Sequence, residues 1–275
     1  MFTLAIGDLY IPDRSSGIPQ KFLKLLAPNS NAYPSNPKIS QVVCLGNITQ
    51  SKETLQYLYN ISPSFHIVQG EFDDPSVVSQ QLEHISGSPS NLPQYKVITA
   101  DNFRIGFTNG HQIMPQNDPL SLLAFAREIN VDILIWGGTH RVEAYTLDGK
   151  YFINPGSASG AFHFGWPEID DIEEEEEDVD DDNEEGMTEE KVDEKTEKSS
   201  EVDGQDKKES QEELADKEEN SSNSKKEENN ENDGKLNDPI PSFCLLETNG
   251  SRCTLYIYTY INNEVKVDKV IYQKD

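Results

Sequence analysis

Five times along this chain a short apolar run stops at a glycine-containing turn carrying a polar side chain. Phe2–Ile6 stops at Gly7-Asp8, and Val42–Leu45 at Gly46-Asn47. His66–Val68 stops at Gly70-Glu71-Phe72-Asp73, Phe103–Thr108 at Asn109-Gly110-His111, and Asp132–Trp136 at Gly137-Gly138-Thr139-His140. Apolar runs without polar alternation read as strands buried on both faces. Helical patterns separate several of them. Pro19 opens one in which Phe22, Leu25 and Leu26 share a face, Ser51 caps one with Leu55, Leu58 and Tyr59 on one side, and Asp118-Pro119 starts one with Leu122, Ala126 and Ile129 on its core face. In parallel sheets the carboxyl ends of such strands gather around one crevice, so the five polar turns are expected to converge.

Beyond His140 the pattern changes to closely spaced strands without helices: Val142–Leu147, Tyr151–Ile153, Phe243–Glu247, Leu255–Tyr260 and Val265–Tyr272. Parallel units followed by such a meander predict an α/β fold, two sheets face to face with helices outside, a four-layer αββα sandwich. Between these late strands lies residues 168–238, with 33 acidic residues, nine lysines and no aromatic, cysteine or histidine. Too little apolar surface is present there to offset the entropy of ordering, so the segment is expected to be a disordered acidic insertion. Residues 1–167 and 239–275 are then expected to form one domain around it, as a surface loop allows.

The insertion also accounts for the charge. The whole chain carries 50 acidic and 23 basic residues, a net −27, of which −24 falls in residues 168–238 and −3 on the rest. An acidic balance of this size argues against direct nucleic-acid binding. No apolar run approaches the ~18 residues of a bilayer span. The opening Met1–Asp8 lacks a basic segment and a small-residue cleavage site, so no secretory leader is expected. Cys44, Cys244 and Cys253 are odd in number and read as buried free thiols of a reducing compartment.

In order, the five turns resemble the five motifs of the calcineurin-like metallophosphoesterases, whose ligands hold two divalent metals that activate water for attack on phosphorus. Asn154-Pro-Gly-Ser157, Gly46-Asn47, Gly70–Asp73 and Glu264–Lys269 are similar to a narrower branch of that family, the small subunits of retromer. The resemblance covers the chain except the acidic insertion and residues 28–38. It assigns a vestigial metal site to Asp8, Tyr10, Asn47, Glu71, Asn109, Gly138 and His140. Tyr10, Asn109 and Gly138 stand where the family has histidines, and each removes a strong ligand. If any metal stayed, Asp8, Asn47, Glu71 and His140 would hold it. Phe72 takes the place of the histidine that protonates the leaving group, with Asp73 behind it, a loss of a further ~10²–10⁴-fold. The resemblance therefore implies no catalytic residues and no cofactor, the alternative being a weakly active metal-dependent phosphoesterase. Hydrogen bonding among Asp8, Asn47, His140 and the loop backbone is the simpler account of those three side chains.

By the same resemblance, Ile113-Met114-Pro115 forms part of the surface that docks on the large α-solenoid subunit of retromer, with a buried plug over the crevice as the other option. Leu25, Leu245, Tyr256 and Tyr258 match an exposed patch that takes regulatory proteins. Strand alternation puts Tyr256, Tyr258 and Tyr260 on one face and Leu255 and Ile257 on the other; such an aromatic stripe is more often core or sheet cover than interface, and it is the resemblance that implies a binding role. The implied role is a non-catalytic scaffold subunit for endosome-to-Golgi retrograde transport of cargo receptors. It would be cytoplasmic and touch the endosomal membrane only peripherally, alongside other retromer and sorting-nexin components.

Overall fold

The computed structural model describes residues 1–48, 51–162 and 240–274. All of them fall in one compact unit, Met1–Trp166 with Gly234–Asp275. The acidic insertion expected at residues 168–238 lies outside the described residues.

Two sheets form the centre. The first runs β11-β10-β9-β1-β2-β3, where β1 is Phe2–Ile6, β2 Gln41–Cys44, β3 Phe65–Ile67, β9 Ser242–Asn249, β10 Arg252–Ile261 and β11 Glu264–Gln273. The second runs β4-β5-β6-β8-β7, from β4 (Tyr95–Ala100), β5 (Phe103–Thr108), β6 (Ile133–Ile135), β7 (Val142–Leu147) and β8 (Lys150–Pro155). β1, β2 and β3 are mutually parallel, as are β5, β6 and β8, while β9 joins β1 antiparallel and starts the meander.

Side-chain alternation assigns the layers. Leu4 and Ile6 of β1 and Val42 and Cys44 of β2 face outward to α1 (Gln20–Leu26), α2 (Lys52–Ile61) and α3 (Pro75–Ser86), burying Phe22, Leu55, Leu58, Ile61, Val78 and Leu82. Ala5, Val43 and Leu45 face inward and meet Phe103, Ile105, Phe107, Ile133, Ile135 and Ile153 of the second sheet. Leu134, Trp136 and Phe152 point out of that sheet onto Leu122, Leu123 and Ala126 of α4 (Pro119–Glu128). This is the αββα sandwich expected from the strand pattern. Helix ends follow local chemistry: Ser51 accepts from Thr54 N–H, Asp74 from Ser76 and Val77, and Asp118 from Ser121.

Several details differ from the sequence pattern. β4 carries a weak apolar signal, because Tyr95 and Thr99 on its outer face and Lys96 at the start of its inner face are exposed. The buried face of α2 is Leu55, Leu58 and Ile61; Tyr59 lies on the flank and stacks on Tyr33, with ring centroids 6.4 Å apart. In α1 Phe22 and Leu26 are buried while Leu25 is 42% exposed. All three cysteines are free and buried in strands, and burial pushes the Cys44 thiol up to about 12.

His66 on β3 supplies a pH dependence. Burial first, and then the Lys96 ammonium whose nitrogen lies 3.1 Å from Nδ1, lowers it from 6.5 to about 4. The folded protein keeps this ring neutral while the unfolded chain takes up a proton near 6.5. The stability it contributes is therefore complete above that pH and is lost as pH falls toward 4. Thermal melts from pH 7 to 4.5 should show a shallower acid loss for His66→Gln than for the unaltered protein. Parallel slopes would remove His66 from that transition.

Candidate functional site

The five polar turns meet at the carboxyl ends of β1, β2, β3, β5 and β6, as the strand pattern predicts. Asp8, Tyr10, Asn47 and His140 all adopt positive φ, at 49°, 47°, 54° and 59°. Four non-glycine residues in the left-handed region around one crevice mark a geometry held by its surroundings. Two glycines make the close approach possible. Gly46, at φ +84°, lies so near Gly70 that a Cβ would stand 2.3 Å from the Gly70 nitrogen, and a Cβ on Gly70 would stand 2.2 Å from the Asn47 nitrogen.

Asn47 is the hub of this crevice. Its amide nitrogen donates to Asp8 Oδ1 at 2.9 Å and to the Tyr10 hydroxyl at 2.7 Å, while its oxygen accepts from Phe72 N–H at 3.1 Å. The backbone N–H of Phe72 can only donate, which fixes the amide orientation. The oxygen that would ligate a metal therefore points at the backbone, and an NH₂ group faces the carboxylate in its place. Asp8 Oδ2 accepts from Gly138 N–H at 2.6 Å. Asp73 Oδ2 accepts from the N–H groups of Asn47 at 2.7 Å and Gly70 at 3.0 Å, tying the β2 turn to the β3 turn.

The remaining predicted positions divide between crevice and rim. Tyr10 is buried, and burial together with the Asp8 charge raises its phenol well above the ordinary tyrosine range, so it is a neutral hydroxyl at pH 7 and a weak ligand. His140 is buried and its Nδ1 lies 2.6 Å from the Ala161 carbonyl oxygen, its ring 5.0 Å from that of Tyr10. Asn109 donates to the Leu45 carbonyl at 3.1 Å, and its Oδ1 lies 3.0 Å from His111 Nδ1. Glu71 is exposed at the rim, lining with Asn109, His111 and Gly138 a cavity of about 30 Å³. Pockets that enclose a small-molecule ligand run to ~300–1,000 Å³, so this one has room for little beyond water. Among the described residues no group of three or more His, Cys, Asp or Glu side chains is placed to hold a metal ion. The donor set does not fit the two-metal centre of the fold: the carboxylate is met by N–H groups, the amide is reversed and Gly138 has no side chain.

Some contributors were invisible in the motif spacing. The Arg14 guanidinium stacks 4.2 Å from the Tyr10 ring centroid and 4.7 Å from that of Phe72, placing a fixed cation at the mouth. Ser157 Oγ donates to the Asp8 carbonyl at 2.6 Å, Ser159 Oγ to the Leu9 carbonyl at 2.5 Å, and Asn154 Nδ2 to Thr139 Oγ1 at 2.9 Å. The Asn154–Ser157 turn thus braces both the β1 and β6 loops.

The predicted contact residues lie elsewhere. Ile113 is buried in the core under α4, packed in the cluster with Leu122 and Trp136, and so is not itself a surface residue. Met114 beside it is 74% exposed. The loop is thus a buried residue followed by an exposed thioether, and Ile113 packs under α4 rather than over the crevice. Leu25, Leu245, Tyr256 and Tyr258 surround the α1 side of the first sheet, with Tyr258 stacked on Phe243 at 4.6 Å and Leu245 opposite Tyr256 in register. Tyr258 and Leu245 also pack against the α1 core.

Layer order, turn order and crevice define a metallophosphoesterase sandwich whose ligand positions hydrogen-bond one another. Residues 27–167 match the calcineurin-like phosphoesterase superfamily domain, and the chain belongs to that superfamily. Within it the chain belongs to the family of vacuolar protein sorting-associated protein 29. The Saccharomyces cerevisiae protein of that name is 41% identical over 289 residues, covering 100% of both chains. Among solved structures, Vps29 of Chaetomium thermophilum is 31% identical with a TM-score of 0.64 and full coverage of both chains. Wild-type Vps29 of Entamoeba histolytica complexed with Zn²⁺ is 30% identical with a TM-score of 0.60, covering 98% of this chain and 99% of that one.

Proposed function

We propose that this protein is a non-catalytic scaffold subunit of retromer that binds the large α-solenoid subunit and so serves endosome-to-Golgi retrograde transport. Family membership supports the retromer role. The observation that carries the non-catalytic part is the reversed Asn47 amide, whose NH₂ group bridges Asp8 and Tyr10. Met114 supplies an exposed, flexible thioether held out by buried Ile113, a form suited to a groove between helices of a solenoid. Leu25, Leu245, Tyr256 and Tyr258 form a second surface for regulatory proteins, and sorting-nexin components join through the assembly. No described helix is long and apolar enough to cross a membrane. In this reading, which rests on family membership, membrane association runs through partners on the cytoplasmic face of the endosome.

A second reading, a weak metal-dependent phosphoesterase, draws on the superfamily match and on the zinc complex of the Entamoeba relative. One pair of assays separates the two. Purified full-length protein should co-migrate with the purified large subunit in size exclusion. It should hydrolyse bis-p-nitrophenyl phosphate with added manganese no faster than Asp8→Ala does. Absence of co-migration, together with manganese-dependent turnover lost in Asp8→Ala, would establish the enzyme reading instead.

A further inference from the structure

β11 is the outermost strand of the first sheet and pairs with β10 alone among the described residues. The ladder runs unbroken from Arg252↔Gln273 to Ile261↔Glu264, so β11 has no bulge, and it contains no proline or glycine. Long edges are normally shortened, bent, interrupted or lined with charges, because unpaired N–H and C=O groups recruit another strand; β11 has only the charges, and Lys266, Asp268 and Lys269 are of mixed sign. The direction of those groups follows from the ladder. Lys274 N–H donates inward to the Ser251 carbonyl at 2.9 Å, so even-numbered residues of β11 turn their backbone to β10. Val265, Val267, Lys269, Ile271 and Gln273 therefore turn theirs outward. Exposed apolar side chains accompany them: Val267 at 49% and Ile271 at 52%.

The charge pattern selects the occupant. A second copy adding antiparallel through a two-fold axis normal to the sheet keeps side-chain faces matched, so each register is named by the residue on the axis. Axes at Lys266, Asp268 or Lys269 set like charges against each other at the centre, and an axis at Val270 sets Lys266 against the second copy's Lys274. An axis at Val265 leaves only a short overlap before the Asn262-Asn263 turn. An axis at Ile271 requires Lys274, whose ammonium already holds Asp132 at 2.7 Å. With Val267 on the axis, Lys266 faces Asp268 of the second copy on both sides. Val267 meets itself, and Glu264–Val270 overlap through about six backbone hydrogen bonds. Lys266 and Asp268 are exposed and form no ion pair among the described residues.

We infer that β11 is a self-association edge: two copies of this chain join their first sheets antiparallel about Val267. The net −27 on each chain opposes the encounter, so association should be measured near 0.15 M salt, where charges beyond about 8 Å are screened. Sedimentation of the full chain from micromolar to near-millimolar concentration should show a monomer passing into a dimer. Lys266→Asp alone and Asp268→Lys alone should each weaken the dimer by about tenfold or more, since opposed pairs become like pairs twice over. The double swap should restore it, with melting temperatures unchanged throughout. A monomer at every concentration would overturn the inference. So would a dimer indifferent to both single swaps, which would place the contact on another face.

Discussion

Gly46→Ala should destabilise the protein by about 3–5 kcal/mol, a large part of the total stability of a domain this size. Two separate penalties coincide there. The backbone sits at φ +84°, which costs an L-residue of order 1–3 kcal/mol. The new Cβ would also stand 2.3 Å from Gly70 N, 2.7 Å from Gly70 Cα and 2.7 Å from the Val68 carbonyl oxygen. All three are backbone atoms of β3 and its turn, so no rotamer change can relieve the contact. Separating the two turns would pull Asn47 N–H from Asp73 and its amide from Phe72. Gly87→Ala provides the control, because φ is +72° there and nothing lies within 4 Å of the added carbon. Chemical denaturation should show the Gly46 variant losing several times what the Gly87 variant loses. Equal losses would mean that the β2 and β3 turns are not locked together as described.

Met114→Asp should weaken capture of the large solenoid subunit by at least about 100-fold while leaving the melting temperature within about a degree. The side chain is 74% exposed, so the folded monomer loses little packing, whereas an apolar groove that closes over it would have to desolvate a carboxylate. Ile113→Asp is expected to behave in the opposite sense. At 7% exposure it would place a charge in the cluster with Leu122 and Trp136, and unfolding rather than lost recognition would result. Titration calorimetry against the purified large subunit, paired with thermal melts, separates these outcomes. Undiminished capture by Met114→Asp would remove this loop from the interface.

What could be read in the sequence follows from where the information sits. The five strand-and-turn units were legible because buried strands lack polar residues and each stop is a glycine or Asn-Gly, both local signals. The convergence of Asp8, Asn47, Asn109 and His140 followed from parallel topology. Whether Asn47 offers its oxygen or its NH₂ to Asp8 is absent from residue identity, since it is settled by Phe72 N–H 25 positions away. Arg14 carries no local signal for a similar reason: its stacking partner Phe72 belongs to another turn. Ile113 and Met114 are adjacent apolar residues in a loop without periodicity, so nothing in the pattern separates the buried one from the exposed one. Spacing likewise marked the Asn154–Ser157 turn as a motif without showing that it braces the Asp8 loop.

The crevice donors are committed to one another, so no catalytic metal is expected to bind there. Calorimetric titration of manganese and zinc into the full-length protein, beside Asp8→Ala, tests this most directly. Because the acidic stretch at residues 168–238 can gather cations weakly on its own, the difference between the two proteins is the informative quantity. The expected result is superimposable isotherms with no stoichiometric site in either. One or two metal equivalents bound by the unaltered protein and lost in Asp8→Ala would contradict it.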